Sequence, residues 1–340
     1  MDRNTKGITI AGLIVTDIIH MIDKYPEKSM LANVKSSSRA VGGCVPNTII
    51  DIAKIDPEIP LYAMGKVGND DNGHFVISEL SKYGVDTSGI VLDDNCPTDT
   101  SHAMTEMGTG DRTFFCASAC NGSFCVEDVD VDNLDCEIFH GGYLLLLESL
   151  DAEDEEYGTK MAKLLNKVSK KGIKTSIDLV SSQVGRFNEI VVPAIKQCDY
   201  VIINEVESGR VSGYDPRNAD GTLNIENIKK TMEKFFELGV REKVIIHSSE
   251  AGFLMDKDGD FVVVPSLELP KGWIKGSTGA GDCYCAACLY GLTQDFDNRK
   301  LLEFASAAAA TNLSEADSIS GVKSRAEIEE LSRTLPRQVL

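Results

Sequence analysis

The chain has no uninterrupted apolar run of ~18 residues, the length a membrane-spanning helix needs. The best candidate near the N-terminus, Gly7 to Ile22, is broken by Asp17 and His20, so it suits neither a span nor a signal-peptide core. Positive charge is short: 34 Lys and Arg stand against 53 Asp and Glu, a formal net charge of −19. That balance argues against nucleic acid and anionic membranes as partners, and the expected location is cytoplasmic. Paired CxxC spacing is missing too. Cys283, Cys285 and Cys288, and likewise Cys116, Cys120 and Cys125, look like half a metal motif without its second half. The ten cysteines are expected to be free thiols, with those at 283–288 packing a small-residue helix. The first strand is followed by no GxGxxG turn, since Gly12 stands alone, and no GxxxxGK[ST] occurs anywhere. No repeat, low-complexity tract or long Pro/Gly linker divides the chain. Its 340 residues, 42% hydrophobic and 26% charged, read as one globular domain over 1–340.

What is present is concentrated in Gly276-Ser277-Thr278-Gly279-Ala280-Gly281-Asp282, followed by the apolar run Cys283 to Tyr290. The run reads as a buried helix opened by a single acid. A helix N-terminus offers unpaired amides and the positive end of a dipole, and both attract phosphate. Glycines at 279 and 281 let that backbone approach a ligand with no Cβ in the way. Asp282 on the same turn can take a proton from a hydroxyl beside the bound phosphate. The stretch thus combines an anion cradle, the amides of Gly279, Ala280 and Gly281, with a base. The competing reading is an ordinary helix start in which Asp282 caps orphan amides.

A second motif, Val41-Gly42-Gly43-Cys44-Val45-Pro46-Asn47, places two glycines and an amide just before the helical stretch Thr48 to Ile55. The order of the two motifs and their wide separation resemble the paired signatures of the ribokinase-like (PfkB) family of carbohydrate and nucleoside kinases. The run Gly65 to Gly73 resembles the same family. The resemblance implies that Gly42, Gly43 and Asn47 hold a sugar and that Gly279 to Asp282 perform the chemistry. It implies that Asp17 contacts substrate hydroxyls, and that Asn204 and Glu207 organise Mg²⁺ and nucleotide phosphates, partly through water. A single Glu and an amide suffice for Mg²⁺, which keeps much of its hydration. Asn204 is also a good N-cap with Glu207 at capping-box spacing, and the two roles can coexist. Ser249 and Gly252 fall in the loop that contacts ATP in the family.

The chain departs from the family pattern in three places. His247 and Ser249 replace the threonine and first glycine of the ATP loop; His247, alone at a strand end, is read as structural. Gly276 stands where the family often has an Asp that helps bind a monovalent cation, so potassium activation is not carried over. Val45-Pro46 reverses the usual small-residue pattern before Asn47.

The pattern predicts strands over Lys6 to Val15 (ending near Gly12), Leu61 to Val67, Ile138 to Leu147, Lys174 to Leu179, Tyr200 to Ile203 and Lys243 to His247. It predicts helices over Phe75 to Tyr83, Glu153 to Lys171, Phe187 to Ile195, Ile225 to Leu238 and Phe304 to Leu313, and irregular chain from Ile22 to Arg39. Strands alternating with helices imply an α/β fold, a three-layer α/β/α sandwich with a mostly parallel central sheet. The resemblance adds a small β-sheet lid built from about 16–40 and 98–118, the second piece being a hairpin around Gly108 to Asp111.

The implied activity is ATP-dependent transfer of the γ-phosphoryl to a hydroxyl, primary in most of the family, of a small sugar or polyol. A nucleoside kinase and a catalytically silent regulatory relative are the alternatives on the same scaffold. A dinucleotide-binding oxidoreductase fits the strand–helix alternation but lacks the glycine turn. A second copy of the chain, paired through the open edge and apolar face of the lid, is the macromolecular partner the family suggests.

Overall fold

Ile8–Gly12, five consecutive buried residues, form strand β1, apolar on both faces as a strand covered on both sides of a parallel sheet must be. A computed structural model describes residues 7–181 and 185–340; Lys6, expected to open this strand, lies outside them. The chain then leaves the sheet for β2 (Val15–Ile22) and β3 (Val34–Gly42), returns through helix α1 (Cys44–Ile55) to β4 (Leu61–Gly68), and continues through α2 (Asp71–Ser81) to β5 (Asp86–Asp93). A second excursion makes β6 (Thr100–Glu106) and β7 (Arg112–Ala117) before β8 (Ile138–Leu144) re-enters the sheet. After the short helix α3 (Glu148–Asp151), the two-residue strands β9 (Glu153–Asp154) and β10 (Gly158–Thr159) pair with each other. Alternation then becomes regular: α4 (Lys160–Ser169), β11 (Lys174–Leu179), α5 (Phe187–Ile195), β12 (Tyr200–Asn204), α6 (Glu205–Ser212), α7 (Ile225–Leu238) and β13 (Lys243–His247). The hairpin β14 (Ala251–Asp256) and β15 (Phe261–Pro265) precedes three closing helices, α8 (Ala280–Thr293), α9 (Asn298–Asn312) and α10 (Arg325–Thr334).

Among the described residues the main sheet has nine strands, in the order β15-β14-β13-β12-β11-β8-β1-β4-β5. All pairings from β13 to β5 are parallel, and only β14 and β15 run antiparallel at one edge. One core, with Ile49, Leu289 and Phe304, packs α1, α8 and α9 on one face. The other, with Leu164, Val191 and Phe235, packs α4, α5 and α7 on the opposite face. The result is the expected three-layer sandwich. The second sheet, β3-β2-β6-β7, joins the two excursions and forms the expected lid. Among the described residues no helix is long and apolar enough to cross a membrane.

Four expectations need correcting. The charged helix expected from Glu153 begins only at Lys160, because Gly158 adopts a left-handed φ of 85° and Thr159 caps α4 by accepting from the Ala162 amide at 3.2 Å. The segment expected to be irregular after Ile22 contains β3, whose polar Lys35 to Arg39 carry no hydrophobic alternation because that stretch is exposed on the lid. The β14–β15 hairpin extends the sheet where the sequence reading stopped at His247. The predicted helix over Phe75 to Tyr83 starts earlier, at Asp71, since Asp70 accepts from the amides of Asn72 and Gly73. Gly68 and Asp70 instead serve structure, with Thr98 bound to both.

Candidate active site

The ends of β1, β8, β11, β12 and β13 lie on one edge of the sheet, the edge where open α/β sheets bind ligands. Helix α8 begins there. Its N-cap is Gly279, in the left-handed region at φ 77° and without a side-chain cap, so Asp282 does not cap the helix. The Asp282 carboxylate instead accepts from Asn47 Nδ2 at 2.8 Å on one oxygen and from the Tyr143 hydroxyl at 2.8 Å on the other. It is 5% exposed. Burial, followed by the negative charge of Asp178, pushes its pKa up to about 7, while the bonds from Asn47 and Tyr143 pull it down. An acid poised there can hold or release a proton near neutral pH.

The amides expected to cradle an anion differ from one another. Gly281 is exposed, whereas the Ala280 amide donates to the Ser277 carbonyl at 3.3 Å. A Cβ on Gly279 would lie 2.5 Å from Ser318 Cβ and 2.6 Å from its carbonyl oxygen, so tight packing and φ both require glycine there. On Gly281 a Cβ would meet nothing closer than His247 Cε1 at 3.6 Å, so packing does not demand that glycine.

The other motif meets this one directly. Gly43, at φ 89°, is the N-cap of α1, and Asn47 on its first turn is buried. Ser318 donates to Asn47 Oδ1 at 2.9 Å, which fixes the amide so that its NH₂ faces Asp282. Asn47 thus sits with the acid as well as beside the expected sugar motif. A Cβ on Gly42 would stand 2.3 Å from Asp17 Oδ2, so this glycine makes the room that the Asp17 carboxylate occupies. Burial raises the Asp17 pKa against a bond from Ser101 that lowers it. Asp17 and Gly43 line a cavity of about 810 Å³ under the lid, together with Asp99, Ser101, Leu145 and Arg186.

A smaller cavity of about 190 Å³ holds Asp282, Gly279, Gly281, Asn204, Glu207 and His247, and Tyr143 borders both cavities. Asn204 and Glu207 form the capping box of α6: the Glu207 amide donates to Asn204 Oδ1 at 2.9 Å, and the Asn204 amide to Glu207 Oε2 at 3.1 Å. Ser181 donates to Glu207 Oε1 at 2.8 Å. Burial first, and Asp178 to a lesser degree, push Glu207 up to about 7. Both carboxylate oxygens already accept one bond, and all the donor atoms here are oxygens, which fits a hard cation such as Mg²⁺ held largely through water. His247 stacks on Tyr284 with ring centres 4.8 Å apart, and burial lowers its pKa to about 4, so it lines the cavity as a neutral ring.

Ser249 and Gly252 do not line this cavity. Ser249 is exposed and donates to Glu250 at 2.9 Å, and a Cβ on Gly252 would meet the Tyr284 hydroxyl at 2.2 Å. Gly276 lies against Ala316, with 3.0 Å from an added Cβ to its Cα and carbonyl oxygen, so an aspartate would not fit without backbone movement. Sequence reasoning missed Tyr143, Asp178 as an electrostatic neighbour, and Ser318. Asp178 reaches the site at a register shift between β8 and β11, where its carboxylate takes the Tyr143 amide at 2.6 Å. Tyr143 itself has φ 55°, an uncommon conformation for a bulky residue. The Gly141-Gly142-Tyr143 end of a strand was the available signal.

Residues 5–325 match the model of the pfkB family carbohydrate kinase. A ribokinase of Arabidopsis thaliana is 24% identical over 316 residues, covering 91% of this chain and 76% of the relative. A 5-dehydro-2-deoxygluconokinase of Geobacillus kaustophilus is 22% identical over 302 residues, covering 86% and 84%. Among solved structures, Arabidopsis thaliana ribokinase complexed with ribose and ATP superposes with a TM-score of 0.77 at 20% identity, over 97% of this chain and 99% of that one.

Proposed function

The chain belongs to the pfkB family of carbohydrate kinases, and from that premise we propose how this ATP-dependent phosphotransferase works and on what. The acceptor is a hydroxyl, primary in our reading, of a small sugar or polyol seated in the larger cavity. Asp17 accepts from its hydroxyls, and the Gly42-Gly43 backbone forms the wall beside it. Asp282 takes the hydroxyl proton as attack on the γ-phosphoryl of ATP develops. The first-turn amides of α8, Gly281 foremost, face the phosphoryl oxygens, because first-turn amides have no partner within the helix. Asn204 and Glu207 are the residues that would hold Mg²⁺, which supplies charge neutralisation to the phosphates when bound. Ser249 and Gly252 are assigned to the nucleotide more loosely, beside the cavity. The whole chain acts as one kinase domain with the lid inserted in it, and a second copy would pair over the lid edge β7, where Phe114 and Phe115 are exposed.

The observation that carries this reading is the Asp282 carboxylate. It is buried at a glycine-led helix start and held by Asn47 and Tyr143, and burial pushes its pKa up to about 7. Glu207 is raised as far but is spent on the capping box of α6, whereas Asp282 stands on the open first turn of α8, and a base for an alcohol works best near balance. One observation favours a nucleoside instead: the larger cavity, at about 810 Å³, includes apolar Leu13, Leu145, Leu146 and Ile190 and lies toward the upper end of small-molecule sites (~300–1,000 Å³).

The test is ATP-dependent ADP release across ketoses, aldoses, sugar acids, inositols and nucleosides, with Asp282→Ala as blank. Turnover on a sugar or polyol, lost in the variant, is expected. Turnover confined to nucleosides would replace the sugar reading, and turnover surviving in Asp282→Ala would remove Asp282 from its role.

A further inference from the structure

Beneath the smaller cavity lies a second cluster, of which the phosphotransfer reading uses only Asp178, as a charge near Asp282: His140 on β8, Asp178 on β11 and Cys285 on α8. All three are buried, and their ligand atoms lie within 4.8 Å of one another. His140 Nε2 is 3.6 Å from Asp178 Oδ2 and 3.8 Å from Cys285 Sγ. In a tetrahedral zinc site, bond lengths of ~2.0–2.3 Å separate donor pairs by roughly 3.3–3.6 Å, so His140 already stands near ligand spacing from both partners and the third pair, within 4.8 Å, closes on one ion. The other ring nitrogen of His140 is 3.1 Å from Ser176 Oγ, the outer-shell partner that orients an imidazole ligand. Asp178 can serve without giving up its other bond, because Oδ1 holds the Tyr143 amide while Oδ2 faces the histidine. Asp178 and Cys285 also line the cavity, which leaves a fourth coordination position open toward it.

We propose that His140, Asp178 and Cys285 form a site for a thiophilic divalent cation of the zinc type, and that its occupation slows turnover. Nitrogen, sulfur and oxygen donors together suit Zn²⁺, whereas the oxygen-only set at Asn204 and Glu207 suits Mg²⁺. The two ions are therefore sorted by ligand softness within one cavity. On binding, the Cys285 S–H proton leaves to water and a metal–sulfur bond forms. The ion would share the cavity that Glu207 and Asp282 line, and its effect on turnover rests on the proposed function, which seats the nucleotide phosphates there. The spacing along the chain hides the site, since its three ligands come from three elements and no CxxC pair is involved.

Zinc binding to the whole protein, measured by calorimetry and by the thiolate charge-transfer absorption of the Co²⁺ form, tests the site without needing a substrate. One tight equivalent is expected in the wild type, with a Tm that rises with zinc. Cys285→Ala and His140→Ala, each first shown by circular dichroism to be folded, should lose that equivalent and the charge-transfer band. Cys288→Ala, one turn along the same helix, should keep both. Ser176→Ala should weaken binding ~10–100-fold. No tight equivalent in the wild type, or its retention in both Cys285→Ala and His140→Ala, would overturn the site. Zinc titrated into turnover assays at saturating Mg²⁺ should slow the wild type and spare Cys285→Ala, each relative to its own zinc-free rate. Equal slowing of both, or none in a zinc-loaded wild type, would overturn the inhibitory role while leaving the kinase reading untouched.

Discussion

Helices α1 and α8 begin in the same way and end up with different work. Each has a left-handed glycine as N-cap, Gly43 at φ 89° and Gly279 at φ 77°, and neither has a side-chain cap. They pack against each other, and Asn47 of one holds Asp282 of the other at 2.8 Å. At α1 the first turn is sealed: Cys44, Val45 and Pro46 are buried, and the Val45 amide donates to the Leu13 carbonyl at 3.2 Å. At α8 the first turn contains exposed Gly281 beside a cavity. A glycine-led helix start is therefore an anion site only where its amides are left facing space. At α1 the same device is turned inward, so that Gly42 admits the Asp17 carboxylate and Asn47 steadies the acid across the interface.

The largest blow to that division should come from Asp282→Asn. Its kcat should fall by ~10²–10⁴ with a smaller change in KM, since the proposed general base is lost while the cavities remain. Steady-state kinetics on the substrate found in the panel decides it; full turnover would mean that α8 provides only a phosphate cradle. Next is Gly42→Ala on the α1 side. The new Cβ would stand 2.3 Å from the Asp17 carboxylate and must displace it. A misplaced contact of this kind costs on the order of 10² in kcat/KM, and the loss should be confined to the sugar, with KM for ATP unchanged. A rise in the ATP KM instead would erase the assignment of α1 to the acceptor.

The sheet was legible because β1, β4, β12 and β13 announce themselves as apolar runs, and the candidate site because both glycine motifs are contiguous in sequence. The lid strand β3 was not, since Lys35 to Arg39 face solvent and carry no alternation. Nor was the start of α4, which was decided by one left-handed glycine within an acidic run. Tyr143 and Ser318 escaped for a different reason. Their roles depend on contacts 139 and 271 positions away along the chain, set by a register shift and by helix packing that no local pattern encodes. Asn47 was found but placed with the sugar alone, because its bond to Asp282 spans 235 positions.

Glycine at the two positions of the α8 turn sharpens the contrast between conformation and access. Gly279→Ala puts a Cβ at φ 77° and 2.5 Å from Ser318, so it should destabilise the fold by ~1–3 kcal/mol, read as a lower urea midpoint. Gly281→Ala meets only His247 Cε1 at 3.6 Å and should leave the unfolding free energy within ~0.5 kcal/mol of wild type. Its effect should appear in the KM for ATP, because in the proposed reading the methyl group would stand where phosphate approaches. Equal stability losses in the two variants would mean that Gly281 is as structural as Gly279.

Tyr143→Phe should have the smallest and most diagnostic effect. The carboxyl of Asp282 is raised to about 7, so its proton-accepting form grows as pH rises through that value, and kcat/KM should climb on an acid limb to a plateau above it. Glu207, pushed up to about 7 beside the same cavity, titrates in the same range and adds to the limb. The Tyr143 hydroxyl, donating at 2.8 Å, favours the charged carboxylate and lowers the value. Phenylalanine removes that donor and little else, so the limb should move to higher pH by roughly one unit, with the plateau nearly kept. A pH profile of kcat/KM separates the possibilities. A plateau that falls with an unmoved limb would make Tyr143 a wall between the two cavities and leave Asn47, reaching across from α1, as the side chain that tunes the acid.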